Sequence, residues 1–174
     1  MSPPLIKRRE IVSDPWRRMA DDQPLPDGGP VLVSWARWIA ERAVLTRRGT
    51  EGLGVVVNAA EVTPEELGRD AGNFGVIAFE FPAFADGRAF SQAALLRARY
   101  AFHGEIRATG RILPDQLHFL ERCGFDAFEL PERFDPERAL AIFSEFSLAY
   151  QQARDGVTPV MGRRGQHQET REPT

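Results

Sequence analysis

Apolar residues in this chain form short dense runs separated by stretches where they recur every three or four positions, and the two patterns alternate five times. Val31–Ser34 is a β-rich run leading into Trp35–Arg48, where Trp35, Ile39, Arg42 and Ala43 fall at helical spacing. Leu53–Asn58 reads as a buried strand. Thr63, Pro64 and Glu66 then predict an N-cap, a proline at the first helical position and an acidic first turn for a short helix. Phe74–Phe81 is the third strand, and Ala89, Ala93, Leu96 and Tyr100 line one face of the helix after it. Gly104–Thr109 is the fourth, and Pro114 opens a helix that closes at Gly124, placed for a left-handed C-cap. Phe125–Leu130 is the fifth. Asp135–Pro136 starts a long helix with Ala139, Phe143, Phe146 and Tyr150 on one face.

The flanks differ. Met1–Pro30 reads as an extended arm in which Leu5–Val12 pairs as a strand, before Pro24, Pro26, Gly28 and Gly29 break regular structure. Gly156–Thr174 is polar, lacks periodicity and is expected to be disordered. The expected organisation is an arm over residues 1–30, an α/β domain over 31–155 and a tail over 156–174. Within the domain, about five βα units build a mainly parallel sheet covered on both faces. An open doubly wound sheet and a barrel-like arc of βα units both fit. Either brings ligands to the carboxyl ends of the strands and the loops after them.

Composition narrows the function classes. A chain of 174 residues suits one domain that buries roughly 70% of its unfolded surface. The net charge of -3 argues against general electrostatic binding to nucleic acid or to an anionic membrane. No apolar run approaches the ~20 residues needed to cross a bilayer, and the amino terminus lacks a signal-peptide core, so the expectation is a cytoplasmic protein. Cys123, the single cysteine, excludes an internal disulfide, a CxxC pair and a four-cysteine metal or iron–sulfur site within this chain. His103, His118 and His167 have no metal-ligand spacing. There is no P-loop, and Gly52-Leu-Gly54 is too little for a dinucleotide fingerprint. Neither a metal nor a cofactor is expected.

Candidate chemistry follows from the strand ends, which carry Ser34, Asn58, Glu80, Thr109 and Glu129. Glu80 and Glu129 sit in echoing contexts, Ala78-Phe-Glu-Phe-Pro82 and Ala127-Phe-Glu-Leu-Pro131. On neighbouring strands they would act as acid and base or hold an arginine; more simply, each pairs with an arginine such as Arg88 or Arg107. Asp86-Gly87-Arg88 is first a turn signal, but Arg88 and the amides of a helix start also suit an anion. Arg107 and Arg111 frame the next strand-end loop, so an oxyanion pocket shared by the two loops is physically reasonable. Lys7 is the only lysine. Base composition explains that bias; the functional reading is bidentate recognition by arginine. Leu113, Gln116, Leu120 and Cys123 recur at helical spacing. Gln116 is therefore a buried clamp on backbone groups or a site residue beside Asp115. Cys123 on the same stripe, at the negative end of a helix dipole, is structural rather than a reactive thiol. Phe119 on the other face, with Trp35 and Trp38, could supply a homo-oligomer interface.

The block Phe81-Pro82, Asp86-Gly87-Arg88, Ser91, Leu95-Leu96-Arg97, Gly104-Glu105, Arg107-Ala108, Gly110, Asp115-Gln116 and Arg122-Cys-Gly-Phe-Asp-Ala-Phe-Glu-Leu130 resembles the bacterial family known as domain of unknown function 934. Pro30–Asn58 and the arm around Trp16 follow that family more loosely. Arg111 departs from it, since the family usually has an acidic residue there. Members are often labelled as oxidoreductases of sulfite reduction, and such families are typically encoded beside assimilatory sulfite reductase. The resemblance implies a role in making sulfide for cysteine synthesis. Six-electron sulfite reduction requires haem and an iron–sulfur cluster, which one cysteine cannot ligate. The expectation is an accessory protein that binds or assists sulfite reductase or a sulfur oxyanion. Glu80, Glu129, Asp86, Arg88, Arg107, Arg111, Asp115 and Gln116 are its candidate site residues. The alternatives are a small enzyme on a sulfur metabolite, using Glu80 or Glu129 as acid/base, and a structural homo-oligomer.

Overall fold

The computed structural model describes residues 5–82 and 87–145. The arm contributes three short strands, β1 (Leu5–Lys7), β2 (Glu10–Val12) and β3 (Arg17–Arg18). The βα units supply β4 (Val31–Ser34), α1 (Trp35–Leu45), β5 (Leu53–Val57), α2 (Pro64–Asp70), β6 (Val76–Phe81), α3 (Arg88–Ala98), β7 (Glu105–Gly110), α4 (Leu117–Arg122), β8 (Ala127–Glu129) and α5 (Pro136–Glu145). All five apolar runs thus become strands. The expected α/β architecture is what forms.

One curled sheet joins the strands in the order β2-β1-β8-β7-β6-β5-β4-β3. From β3 through β8 every pairing is parallel, and the strands from β4 to β8 lie side by side in chain order. Crossovers of one hand between sequential neighbours put every helix on the same side. Packing agrees: Val33, Val55, Ile77 and Phe79 share one core with Trp38, Leu67, Leu96 and Leu120 from the helices. The arrangement is the barrel-like arc, not the doubly wound sheet. The other face is covered by the arm, whose Trp16 packs against Leu32, Val76 and Ala78.

The sheet is mixed rather than mainly parallel. Leu5–Val12, expected as one strand, is a hairpin whose arms pair antiparallel, and β1 continues antiparallel onto β8. Arg8 and Arg9 hold φ of 50° and 67°, the left-handed pair that a tight hairpin turn requires. Pattern could not show this reversal, because neither residue is a usual left-handed former.

Local chemistry explains the helix starts. Thr63 Oγ1 accepts from Glu66 N at 3.2 Å, and Glu66 Oε2 accepts from Thr63 N at 3.0 Å. With Pro64 in the first turn, this is the reciprocal capping that the sequence predicts. Gly124 closes α4 with φ of 109°. The helical phase of α1 differs from expectation. Trp38 is fully buried, edge-on to Phe74 with ring centroids 4.8 Å apart, while Ile39 is half exposed. Trp38 is therefore a core residue and does not contribute to an oligomer interface. Phe119 is exposed and lies tilted against Phe90, with ring centroids 5.2 Å apart. Phe146, Tyr150 and the tail over 156–174 lie outside the described residues. Among the described residues, no helix is long and apolar enough to cross a membrane.

Candidate functional site

Alternation along β7 puts Ile106 and Ala108 into the helix-side core and Glu105, Arg107 and Thr109 onto the arm-covered face, all of them buried. A charge enclosed this way needs partners, and Arg107 has them. Its Nη1 and Nη2 donate to the two carboxylate oxygens of Asp14 at 2.6 and 3.0 Å, and its Nε donates to Glu105 Oε1 at 2.7 Å. Glu105 Oε2 meets Lys7 Nζ at 2.8 Å, and Glu129 Oε2 stands 3.8 Å from Arg107 Nη1. Burial works against the charge on Arg107. The bonds and attraction from Asp14 and Glu105 outweigh it, so the guanidinium pKa stands above its ordinary value. The cluster fastens the arm to the sheet. An oxyanion pocket built on Arg107 is thereby replaced by a structural latch, since the fork of this arginine is already filled with carboxylates.

The register separates the two strand-end glutamates. Glu80 pairs with Thr109 across β6 and β7, and Ala108 pairs with Phe128 across β7 and β8. Glu80 and Glu129 thus stand at one level but on strands that flank β7, roughly 10 Å apart at the backbone. Different arginines hold them, Arg18 Nη2 at 2.7 Å from Glu80 and Arg107 beside Glu129. They form no acid–base pair with each other. The simpler reading, carboxylates matched to arginines, is what the geometry contains.

An open cleft of about 650 Å³ lies beside Glu80, at the carboxyl ends of β4, β5 and β6. Arg18 and Asp21 from the arm, Ser34, Asn58 and Glu61 from the strand-end loops, and Glu80 supply its polar lining. Each is placed by a local interaction. Ser34 Oγ accepts from Arg37 N at 3.0 Å, capping α1, and donates to Asp21 Oδ1 at 2.6 Å. Asn58 accepts from Ala60 N at 3.0 Å in an Asx turn and donates to Glu61 Oε1 at 3.2 Å. Among the described residues, three carboxylates stand against one arginine. The cleft favours a cationic or donor-rich group over a free oxyanion.

The remaining candidates disperse. Arg88 is the first residue of α3 and lines a separate groove with Ser91 and Gln92. Asp86 lies outside the described residues. Arg111 is exposed and its backbone N donates to Phe81 O at 2.9 Å, while Asp115 is exposed in the turn before α4. Gln116 is partly exposed, and its Oε1 accepts from Leu113 N at 3.1 Å, the backbone clamp. Cys123 packs partly buried against the core at the end of α4. Three of five nominated strand-end residues, Ser34, Asn58 and Glu80, do meet in the cleft. Arg18, Asp21 and Asp14 went unnominated because they come from the arm. Only Glu61 had a local signal, the Asn58-Ala-Ala-Glu61 turn.

The family described as bacterial protein of unknown function (DUF934) matches over residues 54–161, a span that takes in β5 from Gly54 onward and all of β6, β7 and β8. No curated protein and no solved structure matches the chain.

Proposed function

The chain belongs to the bacterial DUF934 family, and on that premise we propose that it is an accessory protein of assimilatory sulfite reduction. In this reading it engages sulfite reductase through the cleft at its strand ends. The observation that carries the reading is the cleft itself, open, about 650 Å³ in volume and lined by Asp21, Glu61 and Glu80 against Arg18 alone. The carboxyl ends of parallel strands are where βα folds place their ligand-contacting groups. An acidic recess of this size takes a lysine or arginine side chain presented by a partner, with steering from the surplus carboxylates. The sulfur-assimilation context comes from the resemblance carried by Asp86-Gly87-Arg88 and Arg122–Leu130.

The test is capture of the reductase by tagged protein. Wild-type protein retains it at low salt, and the double charge reversal Glu61→Lys/Glu80→Lys loses it. Capture that is absent, or unaffected by the reversal, overturns the reading. Growth of a deletion strain adds the pathway: rescue by sulfide, with failure on sulfate and sulfite, is the expected pattern, and normal growth on sulfate removes the protein from that step.

A further inference from the structure

Two arginines join the arm to the sheet through carboxylates, and they are held in opposite ways. Arg107 is fully buried, and every nitrogen of its guanidinium donates to a carboxylate oxygen. Arg18 and Glu80 are each about half exposed and share one hydrogen bond, from Nη2 to Oε2 at 2.7 Å. Among the described residues, the other guanidinium nitrogens of Arg18 and the second oxygen of Glu80 make no hydrogen bond. An ion pair this exposed competes with water at both ends and adds little to stability. Arg107 is a fixed fastening, whereas Arg18 is an exchangeable one.

Arg18 is also the cation of the strand-end cleft. The carboxylates that line this cleft each use one oxygen within the fold. Asp21 Oδ1 accepts from Ser34 Oγ at 2.6 Å, Glu61 Oε1 from Asn58 Nδ2 at 3.2 Å, and Glu80 Oε2 from Arg18. Their second oxygens receive no hydrogen bond among the described residues. These acceptors are left for donors from outside, and a guanidinium brings several N–H groups in one plane. The backbone beside Arg18 is fixed, since Arg17 N donates to Pro30 O at 3.0 Å and Met19 N to Leu32 O at 2.9 Å, with Met19 buried. Release of Glu80 therefore needs only a turn of the Arg18 side chain, and the arm stays latched.

We propose that Arg18 is the resident competitor of this cleft, an autoinhibitory contact that an arginine side chain of the partner displaces from Glu80. The proposal rests on the reading that a partner engages the cleft through a cationic side chain. While Arg18 holds Glu80, it fills one carboxylate and adds a positive charge that repels an entering cation. The entering guanidinium finds the open oxygens of Asp21 and Glu61 as well as Glu80, whereas Arg18 bonds only Glu80. Loss of Arg18 should therefore tighten binding, the opposite of what removal of a ligand-contacting residue does.

The experiment titrates the full chain with N-acetylarginine amide at low ionic strength, followed by NMR, and washes captured reductase from tagged protein through a salt series. Arg18→Gln should bind the amide about three- to tenfold more tightly than wild type and hold the reductase to higher salt. Arg17→Gln removes the same charge from a residue outside the cleft lining and should change neither readout. In the wild type, the Nε–H signal of Arg18 should move toward that of an unbonded arginine as the amide binds, which tests the exchange without a substitution. Equal or weaker binding by Arg18→Gln, an equal gain from Arg17→Gln, or an Arg18 signal that stays in place overturns the exchange. Reductase that is captured but held no better by Arg18→Gln overturns it too. If wild-type protein captures no reductase, the reading of the partner fails, while the amide titration still decides the role of Arg18.

Discussion

Arg107 and Asp14, 93 residues apart in the chain, meet in a two-pronged ion pair of 2.6 and 3.0 Å that ties the amino-terminal arm to the middle of the sheet. The arm forms one wall of the strand-end cleft through Arg18 and Asp21. This latch therefore links stability to the shape of the cleft. Arg107→Leu leaves Asp14 and Glu105 without their shared cation and should cost about 3–5 kcal/mol in urea unfolding. Adding Asp14→Asn to that variant should cost less than the two single losses combined, since the orphaned carboxylate is then gone. Additive costs would remove the pair from the account of the fold.

Trp38 and Ile39 are adjacent, yet only Trp38 is buried, where its Nε1 also donates to Asp70 Oδ2 at 2.8 Å. Trp38→Ala should cost about 3–5 kcal/mol, and Ile39→Ala should stay within about 0.5 kcal/mol of wild type. Thermal unfolding of the two variants measures the phase of α1 directly. Equal losses would place the helix in the register that its apolar stripe predicts.

Glu66 accepts from the backbone and hydroxyl of Thr63, and those bonds hold its carboxyl below the ordinary range. The native state thus binds fewer protons than the unfolded state across the interval between the two pKa values. The stabilisation is present above the unfolded value and is lost as pH falls through the depressed folded one. Glu66→Gln should therefore lower the urea midpoint at neutral pH and converge on wild type as the pH falls below the depressed folded value. A gap between the two proteins that persists in acid would refute the capping role.

Gly75 stands just before β6, where its own carbonyl accepts from Glu105 N at 2.8 Å and its N–H donates to Leu53 O at 2.9 Å. A Cβ there would stand 2.1 Å from the carbonyl oxygen of Thr50. Backbone held on both sides cannot step aside cheaply, so Gly75→Ala should destabilise by about 1–3 kcal/mol in thermal unfolding. An unchanged melting temperature would show that the Thr50 loop yields.

Sequence alone determined what is set within a few residues. The five apolar runs become strands because such runs have no other way to bury both faces. Thr63-Pro-Glu-Glu66 caps α2 and Gly124 closes α4 because capping spans only one turn. Strand-end position was enough to bring Ser34, Asn58 and Glu80 forward, and the three line one cleft. Tertiary structure decided the rest. The phase in which α1 buries Trp38 fully, packs Trp35 only partly and leaves Ile39 exposed depends on what the sheet and Phe74 offer it. The separation of Glu80 from Glu129 depends on strand order, which places β7 between two segments that look alike in sequence. The fate of Arg107 depends on an arm that returns from 93 positions away to cover it. Such contacts leave no periodicity to read, because their partners are joined by the path of the chain through space and not by spacing along it.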